Sequence, residues 1–453
     1  MVLRRGKTGR SVSPIKGPEM TEMTFASPAG LVRECTKRFE VHTRVYTDPD
    51  VFRLEIERIF GKTWIYVGHE SEVAKPGDFK TAYIGRQPVI VSRDDTGELH
   101  VLFNRCRHRG AVVCREQKGH TRQFRCFYHG WTYNGRGDLV GLAQRSGYPA
   151  DFPQKEMGLV KVARVEIYRG LIFASLNPEV CSLEEHIGPA KEAIGVIMDS
   201  APDGKIALKS GSLKFSYHGN WKLVLENTVD GYHGNYVHSS FQEVTSKSSD
   251  STGFRQVRTN EVASVEEQVA FREMGGTRGY SRGHSTLDRP FTSERLEDLR
   301  HQNDARDYVQ ILESKMDRTR ILDVLGQHNV YIFPNFYFGS NGMLWMVHPI
   351  CVDQTEVYQY PFTLVGAPEV WENRRLRVRE QFYGPSGFGT PDDTEVFDAC
   401  QAGMQALQPE WNDLSRGLAR ERVETADVRI GHSTDETPQR AIYRAWKNQM
   451  AEI

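Results

Sequence analysis

The sequence predicts an α+β protein, in which a small antiparallel β domain precedes a larger domain that mixes helices and strands. Its 453 residues exceed what a single core usually holds. Short alternating apolar runs separated by turn residues extend from Trp64 to about Leu176. Helical and strand patterns are mixed beyond Cys181. The predicted units are an N-terminal arm (1–44), a β domain with a flanking helix (45–180) and a larger domain (181–453).

The composition excludes several classes of protein. Apolar residues make up 39% and charged residues 26%, which is ordinary for a globular protein. A net charge of -1 argues against a nucleic-acid partner, since phosphate binding needs a basic surplus. No apolar run reaches the roughly eighteen residues of a membrane span. Seven scattered cysteines indicate a reducing compartment, so the cytoplasm is predicted.

In the first half of the chain, the arm is polar and broken by prolines and glycines, which indicates an extended segment that wraps a neighbour or stays loose. Asp48 can cap a helix whose first residue is Pro49 and whose apolar stripe ends at Gly61. Strands are predicted at 88–92 and 100–104, with a hairpin at Asn134-Gly135 and one strand over 168–174 leaving the domain.

In the second half, the polar and glycine-rich stretch 242–300 is interpreted as an entrance loop over a site or as a surface loop. The apolar runs 330–333, 336–338 and 344–347 predict buried sheet. A final helix is predicted to begin at Thr437-Pro438.

Two short segments each contain one cysteine and one histidine: Cys106 with His108, and Cys126 with His129. A Rieske-type [2Fe–2S] centre needs two thiolates on one iron and two imidazoles on the other. Two facing loops that each carry one cysteine and one histidine would supply these four ligands. The pattern therefore predicts a cluster of this type. A structural zinc site is the alternative, although zinc usually draws two cysteines from one segment and two histidines from another. A third interpretation is that these four residues belong to the core and bind no metal.

The segments C-R-H-R-G and C-x-Y-H-G-W resemble the signature of Rieske-type ring-hydroxylating oxygenases, specifically their large (α) subunits. The glycines that follow each Cys/His pair, Gly110 and Gly130, suit tight turns with positive φ. In the family, the tyrosine beside the second histidine hydrogen-bonds a cluster ligand and the tryptophan packs under the loop; Tyr128 and Trp131 match these positions. The resemblance implies a small antiparallel β Rieske domain and an α+β catalytic domain of the helix-grip (START-like) type, an antiparallel sheet with helices.

A second metal site is indicated by His233 and His238. Two histidines five apart on a continuous helix point about 140° apart, so they converge only if the helix breaks, and Gly234-Asn235 would make a break cheap. The segment resembles the family's D-x-x-H-x4-H motif, which supplies two ligands of a mononuclear non-haem Fe(II). A two-histidine, one-carboxylate site leaves positions open for O2 and substrate.

The resemblance also assigns two further residues, and a third is placed by its position in the chain. The iron carboxylate is the second Asp of a downstream Asp-Asp pair, which matches Asp393; Asp392 is the alternative. Asp230 matches an aspartate that hydrogen-bonds the first iron histidine and, across a subunit boundary, the second Rieske histidine of a neighbour. Asn227 lies one turn earlier and is predicted to approach the iron. Candidate pocket walls are Val237, Phe336, Phe338, Tyr383 and Phe388, with ordinary core packing as the alternative.

The implied function is that of the terminal oxygenase of a multicomponent dioxygenase, which adds both atoms of O2 to an arene or hydroxylates it with loss of a ring substituent. No dinucleotide fingerprint follows a strand, so electrons are expected from NAD(P)H through a reductase or ferredoxin. Segments 390–401 and 434–440 look most like the benzoate, anthranilate and salicylate branch. An aromatic acid is the predicted substrate, and a biphenyl-type or polycyclic hydrocarbon is the alternative. A carboxylate calls for an Arg or Lys in the pocket, which the sequence does not single out.

The resemblance further implies α3 or α3β3 assemblies, the latter with a small (β) subunit. Two hypotheses from other classes are an electron carrier with a Rieske domain but no catalytic iron, and a zinc-stapled binding protein. The first predicts that replacing His233 leaves function intact, and the second predicts a colourless protein without sulfide.

Overall fold

The computed structural model describes residues 27–241, 243 and 275–451. Within the predicted arm, β1 (Val32–Glu34) and β2 (Phe39–His42) pair with each other, and β2 also pairs with the distant strand Trp411–Asp413. Leu31 and Phe39 are buried. The part of the arm that the structure describes therefore packs on its own chain, and the expectation of a loose or neighbour-wrapping segment is wrong there. Residues 1–26 lie outside the described residues.

The first long helical segment forms as predicted. The Asp48 carboxylate accepts hydrogen bonds from the backbone N–H of Asp50 (2.8 Å) and Val51, Pro49 is the first helical residue, and a π-helical turn continues the helix to Phe60. No described helix combines the length and the apolarity needed to cross a membrane. The α-helices are α1 Arg44–Thr47, α2 Pro49–Glu55, α3 Leu183–Ile187, α4 Lys191–Asp199, α5 Trp221–Thr228, α6 Ser293–His301, α7 Arg306–Lys315, α8 Arg318–Val324, α9 Glu369–Tyr383, α10 Gly389–Gly403 and α11 Thr437–Ala451.

The small β domain consists of three antiparallel sheets, of strand order β6-β5-β4-β7, β10-β9-β8 and β11-β12-β3. The two Cys/His segments follow β6 and β8, so neighbouring sheets present both. The predicted single strand over 168–174 is wrong: Arg169 and Gly170, at φ 49° and 88°, form a turn between two strands. The strands are β3 Ile65–His69, β4 Asp78–Ile84, β5 Gln87–Arg93, β6 Leu99–Phe103, β7 Lys118–His120, β8 Gln123–Arg125, β9 Thr132–Asn134, β10 Leu139–Gly141, β11 Arg164–Tyr168 and β12 Leu171–Ser175.

The larger domain is built on a nine-stranded antiparallel sheet of order β14-β20-β19-β18-β17-β16-β15-β24-β23. Helices α4 and α5 pack on β17, and α11 packs on β15. Residues 275–300 form strands and a helix rather than the predicted loop, and the loop interpretation of 244–274 lies outside the described residues. The strands are β13 Ile206–Ala207, β14 Leu213–Tyr217, β15 Gly276–Tyr280, β16 Ser285–Arg289, β17 Gln327–Ile332, β18 Phe336–Gly339, β19 Met343–Cys351, β20 Gln354–Pro361, β21 Thr363–Leu364, β22 Trp411–Asp413, β23 Arg422–Thr425 and β24 Val428–His432.

The buried apolar residues form two cores. The smaller core contains Cys106, Cys126, Trp131 and Tyr133, and the larger unites the nine-stranded sheet with its helices. The helical segment before Gly61, which the predicted boundaries attach to the β domain, joins the larger core: the Phe60 ring lies 5.0 Å from Trp221. The two-domain α+β architecture is confirmed, and the domain boundaries stay a prediction.

Candidate cluster and metal sites

The two Cys/His loops share one backbone pattern. In each, the cysteine N–H donates to a carbonyl five residues on, and a glycine N–H donates back to the cysteine carbonyl. Both glycines take positive φ, 76° at Gly110 and 68° at Gly130, as the tight turns required. The bonds are Cys106 N to Ala111 O (2.8 Å), Gly110 N to Cys106 O (3.0 Å), Cys126 N to Trp131 O (2.8 Å) and Gly130 N to Cys126 O (2.9 Å).

The side chains of these loops fit a two-iron cluster. Both cysteines are buried, whereas His108 and His129 are half-buried with their rings 4.6 Å apart, edge to face. Within the part of the chain that the structure describes, nothing hydrogen-bonds the buried His108 Nδ1 atom, so it is available to an iron. Among the described residues, no three ligand atoms of these loops lie within 4.8 Å of one another. Four ligand atoms of one zinc ion would lie closer to one another than this distance, because each lies about 2 Å from the metal.

The aromatic residues beside the loops do not all act as predicted. The Tyr133 hydroxyl lies 3.3 Å from Cys106 Sγ and accepts the Arg107 N–H at 3.1 Å. The hydrogen bond to a cluster ligand predicted for Tyr128 is therefore made by Tyr133 instead. Tyr128 is 53% exposed and packs its ring on His129 at 3.8 Å. The physical reason is that β9 carries Tyr133 into the small core beneath the first loop.

Trp131 does pack under the loops. Its buried ring is parallel to that of His108, with centroids 5.2 Å apart, and its Nε1 donates to the Tyr148 hydroxyl at 3.0 Å. Burial, together with repulsion from the neighbouring His129 and Arg109 side chains, lowers the pKa of His108. The neutral, ligating form of this imidazole is therefore favoured.

The second candidate site follows α5, which is capped by Asn220 and ends at Thr228. The chain then forms a short 3-10 turn, His233–Asn235, so both histidines lie beyond the helix. The break that sequence reasoning placed between the histidines thus begins before them. Their rings meet edge to face, with centroids 5.3 Å apart.

Helix α10 brings Asp393 to these histidines. Asp393 Oδ1 lies 3.3 Å from His238 Nε2 and 3.7 Å from His233 Nε2, spacings suited to ligands that share one ion about 2 Å away. Asp392 instead lies on the far side of the His238 ring, with Oδ2 3.4 Å from Nδ1. Burial lowers the pKa of His238, but Asp393 and Asp392 raise it above its usual value.

Asn227 and Asp230 lie beside this group. Asn227 Nδ2 donates to Asp393 Oδ1 at 3.2 Å. Asp230 Oδ2 lies 3.6 Å from His233 Nδ1, just beyond hydrogen-bond distance, and Asp230 Oδ1 accepts the Tyr232 N–H. Burial raises the pKa of Asp230, but its interactions with His233 lower it below the usual value. The ligand set and the Asp230 bridge stay predictions.

Asp94, Glu98 and His100 form the other described group of three possible ligands. Asp94 Oδ2 contacts His100 Nε2 at 3.0 Å and the Arg136 guanidinium at 2.8 Å, while Oδ1 accepts from Thr96. Because the Arg136 guanidinium already pairs with the Asp94 carboxylate, we interpret this group as structural.

A cavity of about 510 Å³ opens on the histidine–aspartate group. This size lies within the range of about 300–1,000 Å³ that is usual for small-molecule sites. Its apolar walls include Trp345, Phe382 and the predicted Tyr383. Phe336 and Phe338 are buried in the sheet, and Val237 and Phe388 are not part of the lining.

Sequence reasoning missed the positive charge of this cavity. Its lining includes five arginines: Arg289, Arg295, Arg374, Arg375 and Arg379. Three of them come from α9, whose alternating charges suggest an ordinary solvated helix. Only the packing of α9 against the sheet shows which of them face inward.

Comparisons with known proteins agree with this geometry. Residues 63–156 match the Rieske [2Fe-2S] domain family, and residues 202–452 match the ring hydroxylating alpha subunit (catalytic domain) family. The large subunit of 2-halobenzoate 1,2-dioxygenase from Burkholderia cepacia is 35% identical over 84% of this chain and 80% of its own. The anthranilate 1,2-dioxygenase large subunit of Acinetobacter baylyi is 33% identical with the same coverage. A naphthalene 1,2-dioxygenase structure from Rhodococcus sp. superposes with a TM-score of 0.76 at 26% identity, covering 91% of this chain and 94% of that one.

Proposed function

This chain belongs to the Rieske ring-hydroxylating dioxygenase alpha subunits, and we propose that its substrate is an aromatic carboxylic acid. The enzyme is an oxidoreductase that uses O2, with one Rieske [2Fe–2S] cluster and one mononuclear non-haem iron. Its electrons come from NAD(P)H through partner proteins. The observation that carries the proposal is that His233, His238 and Asp393 converge at the edge of a cavity lined by aromatic rings and arginines.

We assign the cluster to Cys106, Cys126, His108 and His129, and the mononuclear iron to His233, His238 and Asp393. When bound, the cluster transfers single electrons and the mononuclear iron is where O2 reacts with the arene. The buried, partnerless Nδ1 of His108 and the short spacings around Asp393 Oδ1 support this assignment.

The remaining residues orient substrate and ligands. The Asn227 amide holds Asp393 by a hydrogen bond, which fixes the direction of the carboxylate. Phe382 packs edge-on against His238, with centroids 5.0 Å apart, and offers an apolar surface to an aromatic ring. Asn341 Nδ2 donates a hydrogen bond to the Tyr383 hydroxyl at 2.7 Å and so holds that ring in place.

The substrate class is supported by two independent facts. The relatives described above are named for halobenzoate and anthranilate, both aromatic acids. The cavity also carries an excess of arginine, which a carboxylate would complement and a hydrocarbon would not.

The substrate class is tested with holoenzyme, reductant and a panel of benzoate, anthranilate, salicylate, toluene, naphthalene and biphenyl. We expect labelled oxygen from O2 in products of the acids, either dihydrodiols or hydroxylated products that have lost a substituent. Turnover of the hydrocarbons alone would overturn the proposed substrate and favour the alternative.

The iron assignment is tested by comparing Asp393→Asn with Asp392→Asn. We expect the first variant to lose about one iron per chain while keeping the visible spectrum of the cluster, because only Asp393 faces both Nε2 atoms. Asp392→Asn should retain that iron. The reverse result would make Asp392 the ligand, and no difference in metal content would refute the assignment.

We also propose that electrons pass between subunits of a trimer-based assembly, with Asp230 bridging His233 to His129 of a neighbour. Exposed aromatic residues surround both ends of this path: Phe127 (61%) and Tyr128 beside His129, and Tyr236 (67%) near His233. Exposed apolar side chains of this kind are usual at interfaces.

The proposed assembly contains three α subunits and three small β subunits. It receives electrons from a ferredoxin or a reductase. We propose a cytoplasmic location, since the seven cysteines form no disulfide and Rieske loops with one cysteine each need none.

A further inference from the structure

One arginine of the cavity wall is buried without the hydrogen bonds that a buried charge needs. Arg379 lies on α9 and is 4% exposed, and its Nε and Nη2 atoms have no hydrogen-bond partner among the described residues. Nη2 is 3.9 Å from Glu372 Oε2, beyond hydrogen-bond distance. The other carboxylate oxygen of Glu372 already accepts from Arg375 at 2.8 Å.

The other inward arginines of α9 differ in this respect. Arg374 is paired with Asp304 at 2.9 Å, and Arg375 with Glu372. Two arginines share the single Glu372 carboxylate, so a net positive charge remains at Arg379.

An unsatisfied guanidinium is costly in a protein interior, and native structures rarely leave one without a reason. Burial and the neighbouring charge of Arg375 lower the pKa of Arg379 to about 9, so the group still carries its charge near neutral pH. Because the cation lines a ligand-sized cavity, an anionic ligand would satisfy it.

The position of Arg379 suits an aromatic acid. It lies three residues before Phe382, about 4.5 Å along the helix axis and on the same face. Phe382 in turn contacts His238. The helix therefore presents the Arg379 charge first and the apolar Phe382 ring next to the proposed iron ligands. An aromatic acid has the same arrangement, with a carboxylate at one end and its ring beside it.

We propose that Arg379 binds the substrate carboxylate through Nε and Nη2, with the aromatic ring held toward Phe382 and His238. These two nitrogens form one edge of the planar guanidinium and can donate two parallel hydrogen bonds to a carboxylate. The inference rests on the proposed function, because it concerns the same cavity.

The test compares benzoate with its neutral analogue benzamide. Dissociation constants are measured by calorimetry on the full-length, cluster-loaded protein for the wild type, Arg379→Gln, Arg379→Lys and Arg377→Gln. Arg377 is exposed on the same helix, so Arg377→Gln is a control that removes the same charge outside the cavity wall.

In Arg379→Gln we expect benzoate to bind about 100-fold more weakly, as when one partner of a buried charge pair is lost. Benzamide binding should change less than about 3-fold. Arg379→Lys, which offers a single nitrogen, should lose less, and Arg377→Gln should match the wild type.

Thermal melting separates this role from a structural one. Removing a buried charge that lacks a partner should leave the melting temperature unchanged or raise it, so Arg379→Met is also expected to fold. Equal weakening for benzoate and benzamide, or a lowered melting temperature without selective loss of benzoate binding, would overturn the assignment.

The two proposals fail differently. If the wild type binds and hydroxylates aromatic acids but Arg379→Gln keeps the preference for them, the anchor is another residue and the proposed function stands. If the wild type binds naphthalene or biphenyl and no acid, the substrate class and the role of Arg379 are both wrong.

Discussion

At the scale of single residues, the environment of the cluster depends on one hydroxyl that the motif does not contain. Tyr133 follows the second loop on β9, yet its hydroxyl contacts a cysteine of the first loop, 3.3 Å from Cys106 Sγ. Hydrogen bonds to the sulfur ligands favour the reduced, more negative cluster and raise its reduction potential.

Replacing Tyr133 with Phe should therefore lower the potential of the cluster. A hydrogen bond worth about 0.5–1.5 kcal/mol corresponds to a shift of about 20–60 mV for one electron. The measurement is a redox titration followed by visible circular dichroism. Tyr128→Phe is the matched control and should leave the potential unchanged. Equal shifts in both variants would contradict the assignment of the hydrogen bond to Tyr133.

At the scale of elements, a buried ion pair links two helices of the larger core, and a tryptophan of a third helix donates a hydrogen bond to it. Glu55 on α2 and Lys222 on α5 are fully buried with Nζ and Oε1 2.6 Å apart. Trp446 on α11 donates to Glu55 Oε1 at 2.6 Å, and Trp221 donates to Oε2 at 2.8 Å. Because α5 also carries Asn227, this pair fixes the helix that leads into the metal site.

Removing one partner of this pair should destabilise the protein more than removing both charges. Glu55→Gln leaves Lys222 charged and buried, at a cost of about 3–5 kcal/mol. Burial already lowers the pKa of Lys222 against the attraction of Glu55. The double variant Glu55→Gln with Lys222→Met should recover most of that loss in thermal unfolding followed by circular dichroism. If Glu55→Gln and Lys222→Met are each measured alone and their losses of stability add up to that of the double variant, the two charges are not coupled.

At the scale of the whole molecule, the chain separates electron supply from oxygen chemistry into two cores. The Cys/His loops carry the exposed aromatic residues Phe127 and Tyr128, and the exposed Tyr232 and Tyr236 flank His233 in the chain. The proposed electron path between subunits would bring these two exposed surfaces together, one from each of two neighbouring chains.

Co-expression of two inactive variants tests that path. Cys106→Ser removes a proposed cluster ligand and His233→Ala a proposed iron ligand, so we expect neither homo-oligomer to be active. Mixed oligomers should regain activity if electrons cross between chains, whereas a path confined to one chain gives none. Asp230→Asn should abolish this recovery when it is added to the Cys106→Ser chain, which keeps the working iron site. Added to the His233→Ala chain, it should have no effect.

The sequence by itself determined what depends on neighbours along the chain. The paired Cys/His loops, the Asp48 cap and the β strands next to the loops follow from residues a few positions apart. The site histidines and Asp393 came from motif resemblance, because no local pattern links a helix carboxylate to histidines so far away in the chain.

Only the tertiary structure decided which groups meet across the chain. The hydroxyl at Cys106 belongs to Tyr133 rather than Tyr128 because strand pairing turns one tyrosine inward and leaves the other exposed. Arg379 is distinguished from its neighbours on α9 only by which side of that helix faces the cavity and by which carboxylates reach it. Burial and the presence of a partner belong to the packed molecule, and both are invisible in the order of residues.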